Sequence, residues 1–255
     1  MLLDTPPSKS DRGKVLIDGD IVAYRAAYSA NDGSERDAMQ KVHDVMRWIL
    51  GNACYSSEIE EYDLFLTGDG NFRYDIAVTY PYKGNRSERE KPRHLKFVRN
   101  YMMEAYSGTM SYGEEADDLI AMEATRCGPT TVIASIDKDM LQIPCLHYNF
   151  KRDEWHSVDE FDGLRFFYSQ ILTGDTADNI VGLHGVGPVK ANRILEECED
   201  EDALWEAVIN AYNGDLDRVV ENARLLWLRR QQEELWEPPA SRKDKEQSEK
   251  GTDQA

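Results

Sequence analysis

Three short apolar runs constrain the fold most, because each ends in acid. KVLIDGD covers Lys14–Asp20, EYDLFLTGD covers Glu61–Asp69 and TTVIASIDKD covers Thr130–Asp139. A strand covered on one face alternates apolar and polar residues, whereas a strand covered on both faces reads as a continuous apolar run. These runs are continuous. Segments of helical spacing stand between them: Met39–Ala53, His94–Tyr106 and Glu114–Thr125. That alternation predicts an α/β fold with a mostly parallel sheet flanked by helices. Ligands of open parallel sheets bind beyond the carboxyl ends of the strands, which is where the acids fall.

The strand ends supply Asp18 and Asp20, then Asp69, then Asp137 and Asp139. The helix beginning EEADD adds Glu115, Asp117 and Asp118, and the later GDTADN adds Asp175 and Asp178. For any single acid, a solvated face or a helix cap is an even alternative. For the set it is weak, since solvated acids have no reason to recur at the end of every apolar strand. Carboxylates crowded into one crevice repel unless cations neutralise them, and hard oxygen ligands suit Mg²⁺ or Mn²⁺. Two such ions about 4 Å apart serve in-line displacement at phosphorus. The candidate ligands are Asp18, Asp69, Glu115, Asp117, Asp118, Asp137, Asp139, Asp175 and Asp178. Asp20 and Glu114 are the weaker neighbours.

The 255 residues carry a formal net charge of −18, which taken alone argues against a nucleic-acid partner. The basic residues are uneven, however. Lys83, Arg86, Arg89, Lys91, Arg93, Lys96 and Arg99 face only Glu88 and Glu90 in their stretch, so a phosphate has a place to dock. A second place is GLHGVGPVKANRIL, Gly182–Leu195, where Gly185, Gly187 and Pro188 form a tight turn before a helix. Glycines admit close backbone approach, and a helix start presents free N–H groups to one phosphate of a duplex. Lys190 and Arg193 in that helix would add contacts; an ordinary helical corner is the alternative. Phe72, Tyr74 and Tyr82 are aromatic candidates for stacking on a frayed base, against ordinary packing.

Composition sets the expected organisation. Residues 1–13, with Pro6, Pro7, Ser8 and Ser10, read as a flexible arm. A sheet domain is expected over 14–163 and a helical lobe over 164–237, with a last helix from Arg218 to about Leu235. A polar, disordered tail is expected over 238–255. The four cysteines lie far apart without metal spacing and read as reduced thiols. The N-terminus is too polar for a signal peptide and no long apolar run occurs. A cytoplasmic protein with no membrane partner is expected.

LIDGD, GD with YKGNR downstream, EADDLIA, SIDKDMLQI and LTGDTADNIVGLHGVGPVKA stand in one order. That series resembles the 5′-nuclease superfamily of PIN-like flap endonucleases and 5′→3′ exonucleases, most nearly the small bacteriophage exonucleases of the T7 and T5 type. The resemblance covers roughly residues 14–236. It implies a PIN-like core with a C-terminal helix–hairpin–helix lobe, and a metal role for the nine acids above. It implies that Lys83 and Arg86 act beside the scissile phosphate, and that residues 83–110 form a helical arch or clamp. DNA contacts would come from Tyr82, Arg89, Lys91, Arg93, Gly185, Gly187, Lys190 and Arg193. The implied reaction is hydrolysis of DNA from 5′ ends or flaps, with two or more Mg²⁺ or Mn²⁺ ions and K⁺ at the hairpin. The implied substrate is duplex DNA or an RNA–DNA hybrid, and the implied protein is a monomer, in the host cytoplasm if of phage origin. Two alternatives remain open at this point: a haloacid-dehalogenase-like phosphatase with Asp18 as nucleophile, and a non-catalytic DNA-binding module.

Overall fold

A computed structural model describes residues 1–54, 62–85 and 90–241. Among them the strands are β1 (Leu2–Leu3), β2 (Val15–Asp18), β3 (Tyr62–Leu66), β4 (Thr109–Met110), β5 (Val132–Ala134), β6 (Leu146–Asn149), β7 (Glu154–Ser157), β8 (Gly174–Asp175) and β9 (Ile180–Val181). The helices are α1 (Gly19–Ser29), α2 (Glu35–Ala53), α3 (Arg73–Ile76), α4 (Leu95–Ala105), α5 (Ala116–Cys127), α6 (Glu160–Thr173), α7 (Pro188–Ile194), α8 (Glu201–Ala211) and α9 (Leu216–Leu226). The chain divides into two compact units. One comprises Met1–Phe72, Glu88–Asp162 and Leu228–Gln232; the other comprises Arg73–Ser87, Gly163–Trp227 and Glu233–Ala255. This differs from the contiguous division at 163 expected above. Arg73–Ser87 groups with the helices, and the short Leu228–Gln232 segment groups with the sheet.

The sheet unit orders its strands β1-β7-β6-β5-β2-β3-β4. β2 pairs in parallel with both β3 and β5, with Ile17 opposite Leu64 on one side and Ala134 on the other. β4 and β6 extend the parallel set. Alternation explains the two cores. Val15, Ile17, Leu64 and Leu66 point to one face, under α1, α2 and α4, while Leu16, Phe65 and Ile133 point to the other, under α5. Residues 15–17 are almost fully buried, as a strand covered on both faces must be.

Local signals set the helix starts. Ser34 and Asp37 form a reciprocal capping box at the start of α2, a device that contributes about 1 kcal/mol. Glycine at position 19 is required by close approach: a Cβ there would lie 2.5 Å from the Phe65 carbonyl oxygen.

Three expectations are corrected. The N-terminal arm is not loose: Leu2 and Leu3 pair with His156 and Trp155 at the sheet edge, and the Arg12 guanidinium lies 4.4 Å from the Trp155 ring centroid. The segment 83–110 does not form an arch over Leu95–Ala105. α4 packs Leu95, Val98 and Met102 into the sheet core with α1 and α2, because an apolar stripe that size is stabilised by burial. The last helix ends at Leu226 rather than near Leu235. Its C-terminus is closed by Arg73, only 2% exposed, whose Nε donates to the Leu225 carbonyl at 2.9 Å and whose Nη2 donates to that of Trp227 at 2.8 Å. A cation suits this end of a helix. Most of the expected disordered tail, 242–255, lies outside the described residues.

In the helical unit, Phe167 packs edge-on against Trp227 at 4.9 Å and lies 5.8 Å from Trp236. Leu204, Val208, Val219 and Ala223 are fully buried. The two-stranded β8–β9 ribbon places Asp175 opposite Ile180.

Candidate active site

In the sheet unit, the carboxyl ends of β2 and β5 and the start of α5 carry the acids. Asp18 is 2% exposed and caps α1, its Oδ1 accepting from the Ile21 N–H at 3.1 Å. Its Oδ2 accepts from the Ser135 hydroxyl at 2.6 Å. Ser135 also accepts from the Asp137 N–H at 3.0 Å, so one hydroxyl couples two candidate ligands. Asp139 and Asp137 are tied as well, the Asp139 N–H donating to Asp137 Oδ1 at 2.9 Å. Ser135 was not singled out from sequence, although it stands inside SIDKD.

Electrostatics mark the cluster. Burial pushes the Asp18 carboxyl up to about 7, against hydrogen bonds from Ser135 and Ile21 that lower it; the charges of Asp20 and Asp137 raise it further. Asp117 is raised well above the usual carboxylate range, first by burial and then by the negative charges of Asp18, Asp137, Glu115 and Asp118. Desolvation and like charge act in the same direction here. These acids on β2, β5 and α5 therefore feel one another.

Within this unit several of the expected acids already have partners in the protein. Among the described residues no three of them surround one point as a finished metal cage. Asp118 is fully buried, with Oδ2 accepting from the Glu115 N–H and Oδ1 from the Arg229 N–H, both at 3.2 Å. Asp20 pairs with Arg99 and accepts from the Thr67 N–H at 2.9 Å. Arg99, counted above among phosphate-docking cations, is thereby an internal partner. Asp69 is exposed on the loop after β3, its carbonyl accepting from the Gly113 N–H at 2.9 Å. The donor set is all hard oxygen and its charges are crowded, which fits a divalent cation better than any soft metal.

In the helical unit a second group forms between two loops. The Lys83 N–H donates to the Asp178 carbonyl at 2.8 Å, and its ammonium lies 3.7 Å from Asp178 Oδ2. The Tyr82 hydroxyl donates to the same Oδ2 at 2.7 Å. Asn179 Nδ2 donates to the Pro81 carbonyl at 2.9 Å, and Asn85 Nδ2 to that of Thr176 at 2.5 Å. Asp175 accepts from the Ala177 N–H at 2.6 Å. Lys83 has φ +54° and Asn179 φ +61°, turns the Pro81–Asn85 and Thr176–Asn179 loops hold by these cross-links.

Tyr82 is 4% exposed, so its reading as a base contact is corrected to a buried partner of Asp178. Phe72 has its face covered by Arg229, whose guanidinium carbon is 3.5 Å from the ring centroid. Tyr74 is 58% exposed, its ring meeting that of Tyr82 edge-on at 5.6 Å. Arg86 and Arg89 lie outside the described residues. Lys91 and Arg93 are exposed ahead of α4, where the Arg93 N–H donates to Asn31 Oδ1 at 2.9 Å.

At the hairpin, Gly185 adopts φ +71°, a conformation that favours glycine. Its carbonyl accepts from Lys190 Nζ at 2.7 Å. An ammonium has three donors, so this bond leaves capacity for a phosphate. Gly187 opens α7, and a Cβ there would meet nothing within 4 Å. Arg193 is exposed on α7. No helix among the described residues is long and apolar enough to cross a membrane.

Comparison with known proteins gives the family and the fold. Residues 14–160 match the family described as 5′-3′ exonuclease, N-terminal resolvase-like domain. The chain is similar to DNA polymerase I of Rhizobium leguminosarum, 35% identical over 106 residues, 37% of this chain and 10% of that protein. It is similar to flap endonuclease Xni of Vibrio campbellii, 31% identical over 176 residues, 62% of this chain and 66% of that protein. The matches thus span less than two thirds of these relatives' own length. Among solved structures, the bacteriophage T5 flap endonuclease in a pseudo-enzyme-product complex with DNA and metal ions shares the fold. Its TM-score is 0.62 at 18% identity, over 84% of this chain and 89% of that one. The matched residues contain the strand ends and the α5 turn described above, and the chain belongs to the 5′-3′ exonuclease family of the 5′-nuclease superfamily.

Proposed function

We propose that the protein is a divalent-metal-dependent nuclease that hydrolyses DNA phosphodiesters from 5′ ends, as a 5′→3′ exonuclease or flap endonuclease. The observation that carries this reading is the grouping of carboxylates within the family-matched residues: Asp18, which is buried, and Asp137 share the Ser135 hydroxyl, and the charges of Asp18, Asp137, Glu115 and Asp118 raise Asp117 after burial does. Burying like charges together costs stability unless cations neutralise them.

Asp18, Asp69, Glu115, Asp117, Asp137 and Asp139 would hold Mg²⁺ or Mn²⁺, Asp118 serving from its buried position. Asp175 and Asp178 keep their proposed metal role from the resemblance. Bound divalent ions supply Lewis-acid stabilisation of the phosphoryl oxygens and lower the pKa of water. The protein's own residues do the rest. Ser135 orients Asp18 and Asp137. Lys83, held in its turn by Asp178, offers a cation to the charge that develops on phosphate, and Arg86 is assigned the same role.

Lys91, Arg93, Lys190 and Arg193, all exposed, would neutralise backbone phosphates. Gly185 and Gly187 admit the duplex backbone, with K⁺ bound at the hairpin. Duplex DNA with a 5′ end or flap is the proposed partner, with an RNA–DNA hybrid as a second substrate, acted on by a monomer. Asp18 is a poor phosphatase nucleophile, since both its oxygens accept internal hydrogen bonds and it is buried. The testing experiment is Mg²⁺-dependent digestion of 5′- and 3′-labelled duplex, flap and hybrid substrates. Short products from the 5′ end support the reading; labelled mononucleotide released only from the 3′ end contradicts it.

A further inference from the structure

The segment Leu228–Gln232 lies 68 residues beyond the family match and nevertheless belongs to the sheet unit. Leu228 packs with Leu16, Phe65, Ile120 and Ile133 in the core under α5. Its N–H donates to Gln142 Oε1 at 3.3 Å, and Arg230 Nη2 donates to the Gln142 carbonyl at 2.8 Å. The segment is therefore anchored on both sides of Arg229.

Arg229 touches two acid-bearing loops at once. Its N–H donates to Asp118 Oδ1 at 3.2 Å, in the first turn of α5. Its Nη1 lies 3.0 Å from Glu114 Oε2, with both side chains 12% exposed. Its guanidinium carbon sits over the Phe72 ring, 3.5 Å from the centroid. Phe72 in turn donates its N–H to the Gly113 carbonyl at 2.9 Å, and the Gly113 N–H donates to the Asp69 carbonyl at 2.9 Å. The loop carrying Asp69 and the turn carrying Glu115, Asp117 and Asp118 are thus closed on one side by a single arginine.

We infer that Arg229 is a positioning residue for the metal-binding carboxylates, delivered by a C-terminal strap that completes the nuclease unit. This rests on the metal reading proposed above. The chemistry explains the choice of arginine. Its planar group forms a charge-assisted bond at its edge while its face covers an aromatic ring, and it is always charged. It places one positive charge beside Glu114 in a region of crowded negative charge, so it restrains the loops and offsets part of the repulsion in the metal-free protein. Lysine keeps the charge but loses the planar contact with Phe72. Partners that orient metal ligands typically change metal affinity or activity by about 10–100-fold when removed.

The test uses the full chain. Mn²⁺ binding is measured by calorimetry for the wild type, Arg229→Ala, Arg229→Lys and Phe72→Leu. Duplex binding without divalent ions and circular dichroism are measured alongside. The expected result is Mn²⁺ binding weakened about tenfold or more in Arg229→Ala and partly restored in Arg229→Lys. Phe72→Leu should fall between wild type and Arg229→Ala, with cation-free duplex binding unchanged in all. A folded Arg229→Ala that binds Mn²⁺ as the wild type does overturns the positioning role while leaving the metal reading intact. Wild type that binds no Mn²⁺ overturns both. If Arg229→Ala does not fold, Phe72→Leu decides alone, and unchanged Mn²⁺ affinity there overturns the inference.

Discussion

Lys83 and Asp178 are joined twice, once through the backbone at 2.8 Å and once between ammonium and carboxylate at 3.7 Å. A residue assigned to transition-state charge is therefore positioned by a residue assigned to metal. The backbone bond fixes the loop, and the side-chain pair keeps the ammonium local at a separation longer than an optimal charge-assisted bond.

Lys83→Ala retains the backbone bond and removes the cation. Cleavage at saturating substrate should fall about 10²-fold or more, the scale of losing one donor to developing charge, with KM little changed. Single-turnover kinetics on a labelled flap check this. A loss confined to KM would place Lys83 in substrate binding.

Asp117→Asn removes one of the crowded charges. In the metal-free protein it should raise Tm by a few degrees, as relief of about 1 kcal/mol does in a protein of this size. Scanning calorimetry with and without Mg²⁺ checks this, because the cation stabilises the wild type and erases the advantage of the variant. An Asp117→Asn protein less stable than wild type without cations would mean that the acid is satisfied inside the protein.

The raised Asp18 carboxyl, about 7 in the folded chain, sets a pH dependence. A raised acid binds its proton more tightly folded than unfolded, so between about pH 4 and 7 the metal-free folded state holds more protons. Stability contributed by this group is present at low pH and lost as pH rises through about 7. Metal binding requires the deprotonated form, so Mn²⁺ affinity should rise with pH up to about 7 and then level. Thermal melts and calorimetry across pH 5–8.5 check both halves; affinity independent of pH below 7 would remove Asp18 from the ligand set.

Gly187→Ala separates the hairpin from the fold. The backbone there is ordinary, and a Cβ meets nothing within 4 Å, so Tm should be unchanged. The methyl group stands where a phosphate backbone approaches, and duplex affinity should fall about tenfold, or 1.4 kcal/mol. Fluorescence anisotropy checks this; unaltered affinity would move the duplex away from the hairpin.

The parallel strands were legible because burial on both faces writes a continuous apolar run, and the acids were legible because each run stops at one. Elements held by distant partners were not. Leu2 and Leu3 find β7 more than 150 residues away, and nothing local in the N-terminal segment announces it. The β6–β7 hairpin turns through Asp153 at φ +57° without a glycine. α4 reads as basic in sequence, yet its apolar stripe faces the core and Arg99 is spent on Asp20. Arg229 falls inside the stretch expected as the last helix, and its partners Glu114, Asp118 and Phe72 lie over 100 residues upstream, where no local pattern points to them. Position along the chain carried the chemistry of the ligands, and only packing revealed what holds them.

The most direct test of the central claim is cleavage of a 5′-labelled duplex and flap by wild type and Asp117→Asn, with Mg²⁺ titrated from zero. Wild type should be silent without the ion and release short 5′ products as it is added. Asp117→Asn should bind the duplex and cut it at least 10³-fold more slowly at every concentration, a loss of about 4 kcal/mol. Equal cleavage by both proteins, or cleavage by wild type without divalent ions, would contradict the account.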